Sequence, residues 1–272
     1  MKSALPPLKR FGQNFLIDKN IIAKIIKAAA VSDKDNVLEV GPGHGALTFE
    51  VAKKARRVLA VEIDRGLCAD LGAAAAGYEN ISIFCCDILK FDLKAVLRKN
   101  RIRSVKVVAN VPYYITTPII EYFFKNIPRL DDIFIMVQKE VAERMTAPSG
   151  SKSYGSLSCF VNYFSRPQAL FKIRGTCFYP APKIDSCFVR LKPYADPGSF
   201  HGVKSEPLLF EIIRAAFGQR RKRLFGSLSK LFKKEELYCI DCAAMLQRRP
   251  EELALADFVR LSNVVFDFYG AG

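Results

Sequence analysis

The sequence predicts a doubly wound α/β domain followed by a small, all-helical C-terminal domain. Three observations carry this reading. Short apolar runs alternate with helical patterns over the first two-thirds of the 272 residues. Polar residues recur at the ends of those runs, and the composition turns abruptly to Pro and Gly between Pro193 and Pro207. Alternation of this kind is the rhythm of a parallel sheet covered by helices. With 50% hydrophobic and 25% charged residues, the chain can build a packed core, and disorder is excluded.

Taken in order, Asn36 to Val40 is a compact strand, followed by the loop Gly41-Pro42-Gly43-His44-Gly45 and a helical stretch from Ala46 to Lys54. Arg57 to Val61 is the second strand, ending on Glu62, and Ile81 to Cys86 the third, ending on Asp87. Val105 to Ala109 is the fourth, ending on Asn110, and Ile133 to Gln138 the fifth. Pro118 to Phe124 and Gly155 to Phe164 have helical patterns, while Gln168 to Ile173 and Cys187 to Lys192 read as late strands. Pro197, Gly198, Gly202 and Pro207 mark a linker. The expected domains are therefore 1–193, a linker at 194–207, and a helical domain at 208–272. Its helices are expected at Leu208 to Phe217, Leu224 to Phe232, Glu235 to Leu246 and Leu255 to Phe268.

The formal net charge is +15, from 42 Lys+Arg against 27 Asp+Glu. That excess points to a polyanionic partner, nucleic acid before an anionic membrane surface. No apolar run is long enough to span a bilayer. The start, Met1-Lys2-Ser3-Ala4-Leu5-Pro6-Pro7, has neither a signal-peptide core nor a transit-peptide composition, so a cytoplasmic protein is expected. The eight cysteines then read as reduced, buried structural thiols. One CxxC, Cys239 to Cys242, with His44 and His201 as the only histidines, does not supply the ligand spacing of a zinc site, and no metal is expected.

Every polar marker stands at the carboxyl end of a strand, the edge where open α/β sheets bind ligands. Gly41 and Gly43 allow a tight turn and close approach to a ligand. The GxGxG spacing differs from the GxGxxG of dinucleotide enzymes, which suits a phosphate-free nucleoside ligand such as S-adenosylmethionine. Glu62, about twenty residues after the loop, can accept the ribose hydroxyls. Asp87 can accept from an adenine amino group, with Ile63 and Ile88 on the ring faces. Each acid alone is an ordinary strand-end residue; the three strand ends together point to nucleoside binding.

The tetrad Asn110-Val111-Pro112-Tyr113 suits methylation of an adenine amine. That nitrogen is a poor nucleophile because its lone pair is delocalised into the ring. Two acceptors, the Asn110 side-chain oxygen and the Val111 carbonyl, would draw it toward tetrahedral geometry. Pro112 stiffens the turn, and Tyr113 can stack on the base. Positioning and electrostatics then carry most of the barrier reduction. The plainer alternative is an Asn-Pro turn closing a βα loop. Phe178, before the Pro-rich stretch Tyr179 to Pro182, is a second stacking candidate beside a core role. Arg220, Arg221, Lys222 and Arg223 form a candidate phosphate-contacting surface, with a solvated helix face as the alternative.

Several ordered motifs together resemble one family. They are Phe11-Gly12-Gln13-Asn14-Phe15-Leu16, Glu39-Val40-Gly41-Pro42-Gly43-His44-Gly45, Glu62-Ile63-Asp64 and Asp87-Ile88-Leu89. Asn110-Val111-Pro112-Tyr113-Tyr114-Ile115 follows, then Phe178-Tyr179-Pro180-Ala181-Pro182-Lys183-Ile184-Asp185-Ser186 and Phe217-Gly218-Gln219-Arg220-Arg221-Lys222. From Phe11 nearly to its end the sequence resembles the KsgA/RsmA family of small-subunit ribosomal RNA adenine dimethyltransferases. The resemblance implies a Rossmann-like methyltransferase domain that takes S-adenosylmethionine as methyl donor. It implies that Asn14 and Leu16 help close the cofactor site, that Gly41, Glu62 and Asp87 hold the cofactor, and that Asn110 touches both cofactor and amine. It further implies that Tyr113 and Phe178 stack on the target. The implied substrate is a pair of adjacent adenosines in a hairpin near the 3′ end of 16S rRNA within an immature 30S subunit, and the implied state is a monomer.

The sequence departs from the family where Arg223-Leu224-Phe225-Gly226 replaces the usual Thr-Leu-Arg-Asn, which bears on the RNA contacts of the second domain. Val111 in place of Leu leaves a backbone role untouched. The Erm family of large-subunit RNA methyltransferases shares the motif order. An assembly or transcription factor that keeps the fold without the activity is an alternative of another class, and a nicotinamide dehydrogenase a more distant one.

Overall fold

The computed structural model describes residues 13–127, 129–239 and 242–270. The chain divides into two compact units: one runs to Ala142 and includes Gln168–Pro193, and the other joins Glu143–Pro167 to Tyr194 and the residues after it.

The first unit holds most of a seven-stranded sheet. At its centre Asn36–Val40 lies parallel to both Arg57–Glu62 and Val105–Asn110. Ile81–Cys85 pairs outside the former in parallel, and Leu130–Gln138 outside the latter. Ser186–Pro193 then adds antiparallel to Leu130–Gln138, and Ser165–Ile173 forms the far edge. The chain moves outward in one direction from Asn36–Val40 and returns on its other side at Val105–Asn110. Their boundary is therefore the topological switch point, where the crevice of an open α/β sheet lies. The central strands are nearly continuous runs of Val, Leu and Ala with almost no exposure, as a sheet covered on both faces requires.

The strand expectations agree with the structure to within a few residues. The helix Lys19–Ala29, which the element-by-element reading passed over, is capped by Asp18, whose carboxylate accepts from the Asn20 and Ile21 amides. The Gly-loop helix is short, Thr48–Ala52. A two-residue strand, Phe15–Leu16, pairs antiparallel with Phe178–Tyr179. Phe11 and Gly12 of the N-terminal motif lie outside the described residues. The thiols are not uniformly buried. Cys159, Cys187 and Cys242 are, but Cys85 is exposed, because it ends an edge strand of the sheet.

The second unit is helical, from Ser156–Phe164 to Leu255–Gly270. The segment placed in the first domain from sequence, Glu143–Pro167, belongs here. Its helix Ser156–Phe164 carries Phe160, Tyr163 and Phe164 into an aromatic cluster with Phe210, with ring centroids 5.5, 5.1 and 5.8 Å away. Such rings dominate the energetics of a small core. The stretch 194–207 contains a short helix, Pro197–His201, capped by Asp196, and Ser205 caps the helix Glu206–Gly218. Two helices, Lys234–Cys239 and Ala243–Leu246, stand where one was expected. No described helix is long and apolar enough to cross a membrane.

Candidate active site

A cavity of about 2180 Å3 is lined by residues at the carboxyl ends of the parallel strands, among them Gly41, Glu62, Asp87 and Asn110. Small-molecule sites reach about 1,000 Å3, so the cavity exceeds the space that one small ligand fills. Of the expected cofactor residues, Asn14, Leu16, Gly41, Gly43, Glu62, Ile63, Asp87, Ile88 and Asn110 all line it.

The glycine loop is wired into the protein. Gly41, Gly43 and Gly45 have φ of +71°, +58° and +80°, the left-handed region that favours glycine. A Cβ at Gly41 would lie 3.4 Å from the Asn110 carbonyl, so the loop and the tetrad pack across the switch point. All three amides already donate internally: Gly41 to Val61 O at 3.0 Å, Gly43 to Glu62 Oε2 at 3.1 Å, and Gly45 to Pro42 O at 2.9 Å. None is left pointing free at a phosphate, unlike the amides of a phosphate-binding loop.

The cavity instead collects carboxyl groups. Glu62 is buried and takes the Ile63 and Asp64 amides on Oε1 at 2.9 and 3.0 Å, besides Gly43 on Oε2. Burial raises its pKa, and these amides partly offset the rise. Asp87 accepts the Leu89 amide on Oδ1 at 3.0 Å. Glu39, which sequence reasoning quoted only within a motif, is 2% exposed and lines the same cavity. Its Oε2 has no hydrogen-bond partner. Burial pushes its pKa up to about 8, lowered somewhat by Thr48 and raised by the Glu62 charge. An acid inside the run Asn36–Val40 was the visible signal for it.

Glu39 gives a pH prediction. Its folded pKa lies above the ordinary value, so between pH 4.5 and about 8 the folded chain holds a proton that the unfolded chain releases. Its contribution to stability is complete below that window and is lost as pH rises through it, by at most about 1.4 kcal/mol per pH unit. Urea unfolding at pH 6 and pH 8.5 should show this loss in the parent chain, and Glu39→Gln should reduce it. An unchanged difference would assign the loss to other groups.

In the tetrad, Asn110 Nδ2 donates to the Asn14 carbonyl at 3.0 Å, which leaves Oδ1 as the acceptor on a cavity-lining residue. Thr116 Oγ1 donates to the Pro112 and Tyr113 carbonyls at 3.3 and 3.2 Å. Among the described residues no donor is paired with the Val111 carbonyl. Asn110 Oδ1 and the Val111 carbonyl are therefore two adjacent acceptors on residues that line the cavity, Val111 almost wholly buried. The Tyr113 hydroxyl lies 2.5 Å from Ser186 Oγ, and burial raises its pKa.

Phe178 does not line this cavity. It is 2% exposed and belongs to the apolar core with Leu16, Ile22 and Phe188. The neighbouring ring, Tyr179, is 62% exposed and does line it. Adjacent residues of a strand face opposite ways, and pairing with Phe15–Leu16 fixes which faces inward.

The basic run in the second unit is split in its surroundings. Arg220 donates to the Lys152 carbonyl at 2.7 Å and lies 4.0 Å from Glu251. Arg223 donates to Gln247 Oε1 at 2.8 Å. Arg221 and Lys222 are exposed. Among the described residues no group of His, Cys, Asp and Glu has the arrangement to hold a metal ion.

The profile of the family described as ribosomal RNA adenine dimethylase matches residues 8–265. A protein named ribosomal RNA small subunit methyltransferase A, from Caldanaerobacter subterraneus subsp. tengcongensis, is 43% identical over 95% of this chain and 97% of its own length. One of the same name from Lachnoclostridium phytofermentans is 42% identical over 94% of this chain and 91% of its own. A crystal structure of a dimethyladenosine transferase from Plasmodium falciparum superposes with a TM-score of 0.78 at 26% identity, covering 94% of this chain and 98% of that one.

Proposed function

The chain belongs to the ribosomal RNA adenine dimethylase family, and from that premise we propose that it dimethylates N6 of two adjacent adenosines in 16S rRNA. The donor is S-adenosylmethionine. The target is the hairpin near the 3′ end of the RNA within an immature 30S subunit, met by a monomeric, cytoplasmic enzyme. The observation that carries the reaction is the pair of acceptors at Asn110 Oδ1 and the Val111 carbonyl, on the rim of a cavity rich in carboxyl groups. The name of the relatives at 43% and 42% identity favours the small-subunit RNA over the Erm reading.

The cavity fits this donor. Its carboxyl groups offer acceptors for hydroxyl and amino groups, the orphaned Oε2 of Glu39 awaits a polar partner, and the engaged glycine amides suit a ligand without phosphate. S-adenosylmethionine, when bound, supplies a methyl group on a positively charged sulfonium. Glu62 and Asp87 would hold its ribose and adenine, and Ile63 and Ile88 would flank the ring. Asn110 and Val111 accept the two N–H groups of the target amine and so localise its lone pair. Tyr113 bears on the base, and Pro112 limits the turn's freedom. Loop adenosines suit this reaction because splaying out an unpaired base costs least.

Incubation of small-subunit particles and of large-subunit RNA with labelled donor, followed by nucleoside analysis, tests the reading. N6,N6-dimethyladenosine is expected in the small-subunit RNA. Label confined to large-subunit RNA would reject it. Arg221→Ala with Lys222→Ala should weaken particle binding and lower the slope of log affinity against log salt by about 1–2. An unchanged slope would make these residues a solvated face. Arg220→Ala should instead act through stability, since its guanidinium is held by internal carbonyls.

A further inference from the structure

We infer that Ser186 is a positioning residue for methyl transfer, anchoring the hydroxyl end of Tyr113 so that its ring stays where the second transfer to each adenosine requires it. This deepens the functional reading above and rests on it.

The motif that ends at Ser186 and the tetrad that ends at Tyr113 are 73 residues apart, yet their hydroxyls meet at 2.5 Å. Ser186 is 0% exposed, and it stands behind Tyr113 rather than lining the cavity as Tyr113 does. Its backbone is tightly fixed. Ser186 is paired with Gln138 in the sheet. The preceding residue, Asp185, accepts the Lys139 amide on its carbonyl and the Gly175 amide on Oδ1, both at 3.0 Å. Gly175 itself allows no Cβ, which would come within 2.6 Å of the Pro182 carbonyl. Tyr113 stands in the 3-10 turn that leads into the helix Thr116–Asn126. The fixed backbone holds Ser186 Oγ in place, and the bond between hydroxyls anchors the far end of the Tyr113 side chain, and with it the position of the ring.

The chemistry says when that placement matters most. Before the first transfer the amine has two N–H groups for Asn110 Oδ1 and the Val111 carbonyl. Afterwards it has one, and carries a methyl group besides. One acceptor contact is gone, so placement of the base rests more on the ring beneath it. A ring free to swing away should therefore slow the second transfer more than the first.

The test compares Ser186→Ala, Ser186→Thr, Tyr113→Phe and the Ala/Phe double variant, with donor affinity, thermal stability and both methylated nucleosides measured. A neutral hydrogen bond contributes about 1 kcal/mol. Ser186→Ala and Tyr113→Phe should each slow the second transfer by roughly five- to tenfold, with N6-monomethyladenosine accumulating. The double variant should be no slower than either single one, and Ser186→Thr, which keeps the hydroxyl, should retain the parent product ratio. Donor affinity should not change. If Ser186→Ala gives the parent product ratio, or loses rate only in proportion to its folded fraction, the inference is overturned. Losses that multiply in the double variant also overturn it. Should Ser186→Ala fail to fold, Tyr113→Phe breaks the same bond from the other side, and a parent product ratio there overturns it equally. A parent chain that makes no dimethyladenosine overturns the functional reading itself. A parent that makes it while the variants match it overturns this inference alone.

Discussion

Replacing Asn110 with alanine should lower methyl transfer by about 10²–10³-fold, the usual loss when one group that stabilises developing charge is removed. As the amine attacks, positive charge grows on its nitrogen, and the Asn110 Oδ1 dipole strengthens its hold on the N–H as it does. Alanine leaves the Val111 carbonyl alone. It also removes the donor to the Asn14 carbonyl, so the N-terminal wall of the cavity loosens, and donor affinity should fall but stay measurable. Asn110→Asp separates the two effects: it keeps an acceptor for the amine and loses the Nδ2 donor. Single-turnover rates with donor binding by calorimetry provide the check. Parent turnover in Asn110→Ala would remove Asn110 from the chemistry.

Phe178→Ala should cost about 3–5 kcal/mol of stability, as truncation of a buried Phe does, because this ring is part of the core that packs Leu16 and Phe188. Loss of activity in that variant would therefore say little about stacking. Phe178→Leu is the informative substitution. It keeps most of the volume, should cost less than about 1.5 kcal/mol, and removes the flat face. Retained turnover in a folded Leu variant assigns the base contact to Tyr113 and the exposed Tyr179. Lost turnover at parent stability assigns it to a Phe178 ring that turns out of the core when RNA binds. Thermal melts alongside turnover distinguish these outcomes.

The parts of the molecule that could be read from sequence were those written in local pattern. The central strands are short apolar runs, buried on both faces, that end at or just before Gly41, Glu62 and Asn110; the half-buried edge strand before Asp87 follows the same pattern. Ligand residues at strand ends followed from topology alone. What could not be read depends on distant partners. Whether Phe178 or Tyr179 faces inward is a question of strand parity, settled by a pairing with Phe15–Leu16 that no local signal reveals. Ser186 and Tyr113 meet only after the sheet has assembled. The helix Ser156–Phe164 was visible as a helix, but its allegiance to the second unit rests on contacts with Phe210 across a gap of some fifty residues. Arg220 and Arg221 are neighbours of equal charge, and only the carbonyl held by Arg220 tells them apart.

The glycine loop's internal bonds bear on the thermodynamics of binding. A loop that orders itself around its ligand subtracts that ordering from the affinity; a loop already closed on Val61, Glu62 and Pro42 has met the entropy when the chain folds. Affinity and stability are thereby uncoupled in one direction. Loosening the loop, as by a residue that cannot hold the φ of Gly45, should appear first as a lower melting temperature of the free protein and only second as weaker binding. Successive donors, needed for each of the methyl groups placed on an adenosine, would then find the same preformed seat every time.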